Sequence, residues 1–155
     1  MTRVLFVCLG NICRSPTAEG VFQQALARAG LTQRIDIDSC GVGDWHVGKA
    51  PDPRAQAAAR RRGVDISHLR ARQLTVNDFH AFDYVLGMDR DNLAAIRALQ
   101  PADSQAKTGL LLEYAGLPNT DVPDPYYGGE EGFEQVLDMI EQASAGLIDE
   151  LNRGR

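Results

Sequence analysis

Residues 4–18 read VLFVCLGNICRSPTA, and the reading of this stretch decides how the chain folds. Val4 to Val7 is a short, unbroken apolar run, the pattern of a strand buried on both faces of a parallel sheet. The pattern then breaks into a polar loop containing Gly10. Ser15 is suited to an N-cap and Pro16 to the first helical position. From there Ala18, Val21, Phe22, Ala25, Leu26 and Ala29 mark one helical face. A strand, a tight loop and a helix in succession turn backbone N–H groups toward a point at the helix N-terminus, and such a point binds anions.

Cys8 opens this loop and Arg14 closes it. A thiol beside an arginine, inward N–H groups and a helix N-terminus ionises readily. The planar fork of Arg14 is able to hold two oxygens of a bound oxyanion. A thiolate beneath that anion suits nucleophilic attack on phosphorus. A bare Cys-x5-Arg spacing is weak and is equally met by a buried cysteine and a surface arginine. The strand before it, the Gly10-Asn11 turn inside it and the Ser-Pro start after it make the pattern specific.

Gly30 caps the first helix, and residues 34–40, with Ile35 and Ile37, read as a second strand. Strand, helix and strand imply a right-handed parallel crossover. Residues 41–51 form a loop with three glycines around Trp45; the tryptophan is either a core plug or a binding surface, and His46 reads as a solvated loop residue. Asp52 caps a helix that has Pro53 at its first position and Gly63 at its end. Arg60, Arg61 and Arg62 oppose its dipole and read as a solvated helix end rather than a nucleic-acid patch. Residues 75–78 have the shape of a short helix start. Tyr84 to Met88 is a third strand. Asp89 caps the next helix, with Leu93, Ile96 and Leu99 facing inward and Pro101 stopping it. Residues 107–113 are the fourth strand, and a helix with a clear apolar stripe runs from about Glu130 to Leu151.

Alternating strands and helices imply an open, mostly parallel α/β sheet. The expectation is one domain over residues 1–155: a flavodoxin-like three-layer α/β/α fold with a four-stranded parallel sheet in order 2-1-3-4. Ligands in such sheets bind beyond the strand C-termini at a topological switch point, where the loop after the first strand lies.

An anion site that breaks a phosphate ester needs a proton donor for the departing oxygen. The long loop NTDVPDPYYGG at 119–129 offers Asp121 and Asp124. Asp124 is favoured because Pro125 restricts its backbone. Tyr126 and Tyr127 either anchor this loop or, with Trp45, line an aromatic cleft.

The chain of 155 residues has 44% hydrophobic and 24% charged residues, ordinary for a globular domain. A net charge of −5 argues against general binding to nucleic acid or an anionic membrane. No signal-peptide pattern or membrane-length apolar run is present. Three cysteines without framework spacing point to a reducing compartment, so a cytoplasmic location is expected. No metal-ligand spacing is present, and no cofactor is expected.

The segments CLGNICRSP at 8–16, Ser39-Cys40-Gly41, Trp45-His46-Val47-Gly48, Asp52-Pro53-Arg54, Met88-Asp89 and Asp124-Pro125-Tyr126-Tyr127 together resemble the low-molecular-weight protein tyrosine phosphatases, in that family's order and over nearly the whole chain. The resemblance implies a phosphatase that acts on phosphotyrosine-containing proteins through a cysteinyl-phosphate, releases inorganic phosphate and works opposite a tyrosine kinase. It implies Cys8 as nucleophile, Arg14 as phosphate clamp and Asp124 as general acid. Leu9, Gly10, Asn11, Ile12, Cys13 and Ser15 would surround the phosphate, and Trp45, Tyr126 and Tyr127 the aromatic ring. It also implies a supporting network of His68 and Ser39 with Asn11 and Ser15, Asn11 being left-handed. Cys40 departs from the family, where alanine is usual, and reads as a small buried thiol without a role. A protein-arginine phosphatase of the same family carries threonine where Ile12 stands. An arsenate reductase of the same fold needs later cysteines, and none follows Cys40. A phosphopeptide-binding module without turnover is disfavoured by Cys8, Arg14 and Asp124 being present together.

Overall fold

The computed structural model describes residues 1–153, the side chain of Tyr127 excepted. Four strands, β1 (Thr2–Cys8), β2 (Ile35–Gly41), β3 (Tyr84–Gly87) and β4 (Lys107–Leu110), form one sheet in the order β2-β1-β3-β4. All neighbours are parallel, with Cys8 opposite Gly41 and Val7 opposite Gly87. The topology is the expected one, and it places the end of β1 at the switch point.

Five helices accompany the sheet: α1 (Arg14–Ala29), α2 (Pro53–Arg61), α3 (Asp78–Ala81), α4 (Arg90–Leu99) and α5 (Glu130–Arg153). Successive residues of β1 point to opposite sides. Val4, Phe6 and Cys8 enter one core with α1, α2 and α5. Leu5 and Val7 enter a second core with Phe79 of α3 and Ile96 of α4. Two covered faces are the reason that β1 is apolar without alternation. Phe6 meets Phe22 of α1 edge-on at 5.6 Å, a geometry worth about 0.5–1.5 kcal/mol beyond burial.

Helix ends follow local chemistry. Gly30 closes α1 with φ 72°. The Asp52 carboxylate accepts from the Arg54 N–H at the start of α2. Asp89 and Asn92 form a reciprocal capping box on α4.

Four expectations are corrected. Helix α1 begins at Arg14 with Cys13 as its cap residue, and no side chain caps it; Ser15 lies inside the first turn, with its hydroxyl turned to the loop. Leu99 is exposed. Strand β4 stops at Leu110 and a 3-10 turn follows over Leu111–Ala115. Leu111 and Leu112 are both buried in the same core, which a strand's alternation forbids, and the Glu113 carboxylate accepts the Leu110 N–H at 3.2 Å. The basic end of α2 is docked rather than solvated. Arg61 pairs with Glu134, and Arg62 pairs with Glu134, Asp138 and Glu141 of α5.

Candidate active site

The loop between β1 and α1 is built from inside. Cys8 and Arg14, its two ends, are each 3% exposed. The Asn11 N–H donates to Cys8 Sγ at 3.3 Å, and Ser15 Oγ lies 3.0 Å from the same sulfur. Asn11 sits at the crest with φ 58°, the left-handed conformation expected of it. Its side-chain amide is a wedge: Nδ2 donates to Ser15 Oγ at 2.7 Å and to Ser39 Oγ at 3.1 Å, while Oδ1 accepts from the Arg72 N–H at 3.0 Å. Ser39 Oγ donates in turn to Glu19 Oε1 at 2.7 Å. Burial pushes the Glu19 carboxyl up to about 7; the Ser39 hydroxyl lowers it, Asp38 raises it and Arg72 lowers it.

Main-chain bonds tie the loop to its neighbours. Val42 N–H donates to Cys8 O at 2.9 Å, Gly43 N–H to Leu9 O at 2.9 Å and Asp52 N–H to Ile12 O at 2.8 Å. Gly41 is required for this approach. A Cβ there would stand 3.0 Å from Leu9 O and from the Gly10 carbonyl carbon.

His68 is a correction. It is exposed, and the partners that fix Asn11 and Ser39 are the Arg72 main chain and Glu19. Asn11 and Ser15, expected to surround the phosphate, stand behind the cleft lining with their side chains engaged in holding the loop. Cys40 is fully buried in the second core, and its carbonyl accepts from Ser15 Oγ at 3.3 Å.

Arg14 is aimed by two groups that the sequence did not reveal. Nη1 donates to Asp89 Oδ2 at 2.7 Å and to Val122 O at 3.0 Å. Nη2 lies 3.8 Å from Asp124 Oδ2. Burial alone would lower the Arg14 pKa, but Cys8, Asp89 and Asp124 together hold it above its ordinary value. Asp89 thus has two tasks, capping α4 through one oxygen and orienting Arg14 through the other. Asp-capped helices are common, so the second task left no mark in the sequence.

The two aspartates of the 119–129 loop separate cleanly. Asp121 is gripped by Arg90 through a backbone N–H at 2.9 Å and Nε at 3.1 Å, and that contact holds its carboxyl below the ordinary range. Asp124 lines the cleft and accepts from the Tyr126 N–H at 3.0 Å. Of the two, Asp124 is the one placed to give up a proton there.

The cleft has a volume of about 300 Å³. Cys8, Leu9, Gly10, Ile12, Cys13 and Arg14 line it, with Trp45, His46, Asp124 and Tyr126. Trp45, at 67% exposure, is a wall and not a core plug. His46, read as solvated, is a lining residue as well, and a Cβ on Gly10 would lie 2.9 Å from its ring. The guanidinium of Arg54 stacks 5.4 Å from the Tyr126 ring and 5.1 Å from Phe133. Tyr127 falls in the turn over Pro125–Tyr127, but its side chain is outside the described residues. Burial, with Asp52 beside it, pushes the Cys13 thiol up to about 12, so Cys13 stays protonated next to Cys8. Among the described residues, no group of three or more His, Cys, Asp or Glu side chains is placed to hold a metal ion.

A sulfur nucleophile at the floor, a buried guanidinium at its side and a carboxyl at the mouth suit in-line transfer of a tetrahedral oxyanion. Residues 3–155 match the family model for low molecular weight phosphotyrosine protein phosphatase. A low molecular weight phosphotyrosine protein phosphatase of Schizosaccharomyces pombe is 52% identical over 84% of this chain and 85% of its own. The human protein of the same name is 42% identical over 94% of this chain and 93% of its own. A crystal structure of a protein tyrosine phosphatase from Entamoeba histolytica, 37% identical, superposes with a TM-score of 0.95 over 99% of both chains.

Proposed function

Because the chain belongs to the low molecular weight phosphotyrosine protein phosphatase family and is a protein-tyrosine phosphatase, we propose that Cys8, Arg14 and Asp124 carry out its hydrolysis of phosphotyrosine monoesters on proteins. The observation that carries the assignment is the convergence of all three on one cleft, with Arg14 3.8 Å from Asp124 and the Cys8 sulfur held by the Asn11 N–H.

In the first step the Cys8 thiolate attacks phosphorus in line, forming the S–P bond as the bond to the tyrosine oxygen breaks. Arg14 and the N–H groups of the loop hold the equatorial oxygens. Asp124 gives its proton to the leaving phenolic oxygen. In the second step Asp124, now a carboxylate, takes a proton from water as that water attacks phosphorus. Inorganic phosphate leaves and the thiolate returns. Ser15 and Asn11 supply hydrogen bonds to the sulfur in both steps.

Trp45 and Tyr126 flank the tyrosyl ring, and the depth of the cleft leaves the shorter phosphoserine out of reach of Cys8. Ile12 at the lining favours an aromatic group. Ile12→Thr is expected to raise turnover of phosphoarginine relative to phosphotyrosine. Among the described residues no helix is long and apolar enough to cross a membrane. A cytoplasmic setting opposite a tyrosine kinase fits the free thiol that the chemistry needs.

Acid-quenched turnover of a phosphotyrosine peptide labelled with radioactive phosphate tests the assignment. Label is expected on the native protein in acid-stable, base-labile form and on none of the Cys8→Ser protein. Equal labelling of both would assign the nucleophile elsewhere.

A further inference from the structure

Asp121 lies three residues before Asp124, and the reaction gives it no task. Its carboxylate nevertheless receives three hydrogen bonds from one residue. Oδ1 accepts from the Arg90 N–H at 2.9 Å and from Nε at 3.1 Å, and Oδ2 accepts from Nη2 at 3.3 Å. Arg90 is the first residue of α4, next to Asp89, which orients Arg14. The following residue of the loop, Val122, is tied by main-chain bonds on both sides. Its N–H donates to Met88 O at 2.8 Å, and its carbonyl accepts from Arg14 at 3.0 Å. Beyond it come Pro123, Asp124 and Pro125, and the two prolines fix φ on either side of the acid.

We propose that the Arg90–Asp121 pair is a positioning clasp for the general acid: it fastens the root of the Asp124 segment to the start of α4 and so sets where the Asp124 carboxyl meets the leaving oxygen. The inference rests on Asp124 being that acid. Attachment at Val122 alone leaves the segment free to swing about one point. A second attachment at the neighbouring residue removes the swing, and the prolines carry the constraint forward to Asp124. The same residue pair of α4, Asp89 and Arg90, then indexes both the clamp and the acid to one helix end. Arg90 and Asp121 are 59% and 37% exposed, so the pair adds little to global stability. Its effect is local.

The test compares log kcat/KM with leaving-group pKa over a series of aryl phosphates, for the native protein, Asp121→Ala, Arg90→Ala, and each with Asp124→Asn. Asp121→Asn, which keeps an acceptor for the Arg90 N–H, serves as the conservative variant. p-Nitrophenyl phosphate, whose leaving group needs little protonation, is expected to turn over at the native rate in Asp121→Ala and Arg90→Ala. Phenyl phosphate and phosphotyrosine peptides are expected to slow about two- to fivefold, the range set by an exposed pair, which steepens the slope. Asp121→Asn should fall between the two. In the Asp124→Asn background the clasp variants should change nothing further. Raising the salt concentration should move the native slope toward that of Asp121→Ala, since exposed pairs are screened. A native slope in Asp121→Ala, or an equal further loss in the Asp124→Asn background, overturns the clasp and leaves the acid assignment standing. A native slope in Asp124→Asn overturns both.

Discussion

The loop that carries Cys8 and the segment that carries Asp124 face each other across one cleft, yet they are held by different means. The first is buried and fastened at every turn: Cys8, Asn11, Cys13, Arg14 and Ser15 are each at most 5% exposed, and the Asn11 amide wedges β2 and the residue 72 main chain against the crest. The second lies half in solvent and is fastened only at its root, by Val122 and Asp121, with prolines stiffening what lies beyond. The difference follows from the tasks. A nucleophile and an oxyanion cradle must hold one geometry before the substrate arrives, because reorganisation during the reaction is costly. A proton donor must meet a leaving group that enters from outside, and a surface segment with a fixed root allows that.

Substitutions on the two sides test this contrast, the largest effects coming first. Cys8→Ser is expected to remove measurable turnover while thermal melting stays near native, because serine fills the same space. Retained turnover would mean that the buried loop does not supply the nucleophile. Across the cleft, Asp124→Asn should lower kcat/KM for phosphotyrosine by about 10²- to 10⁴-fold, with a smaller loss for p-nitrophenyl phosphate. A uniform loss on both substrates would move Asp124 from proton donation to simple binding.

Asn11→Ala probes the wedge itself. It strips partners from the Arg72 N–H and from the Ser15 and Ser39 hydroxyls, and each buried polar group so orphaned costs about 1–3 kcal/mol. Loss of both stability and kcat/KM is expected, the latter by roughly 10²-fold if the loop shifts by an ångström. Native kcat/KM in a destabilised Asn11→Ala protein would separate the wedge from the chemistry.

The smallest effect concerns pH and Glu19, the outer end of the buried network. Its carboxyl is raised from 4.5 to about 7 in the folded chain, so the folded state holds a proton that the unfolded state has released between those values. The stabilisation from this group is therefore full below about pH 4.5 and is lost as pH rises through 7. In Glu19→Gln that dependence disappears. The difference in unfolding free energy, native minus variant, should decline by at most about 3 kcal/mol across the window. A difference that stays flat from pH 4.5 to 7 would show that the carboxyl ionises alike in both states.

The sequence carried the sheet order and the identity of the reacting groups because both are written locally. Unbroken apolar runs mark doubly covered strands, and Cys8, Arg14 and Asp124 each lie in a short segment whose neighbours restrict its backbone. Errors came where a residue's partner is distant in the chain. Ser15 looked like a cap because serines before prolines cap helices, but its hydroxyl faces Cys8. The 111–113 segment looked like strand because leucines suit strands, but both leucines turn to one core.

What the sequence determined by itself is the βα unit, its loop, and the chemical inventory of thiol, guanidinium and carboxyl, since helix starts, turns and strand patterns depend on residues within a few positions. Only the tertiary structure decided which aspartate is occupied and which lines the cleft, because Asp121 meets an arginine 31 positions earlier. It alone decided that Asp89, 75 positions away, aims Arg14, and that Glu19 rather than His68 ends the network behind Cys8. Those pairings are fixed by the packing of whole strands and helices, and no local pattern encodes them.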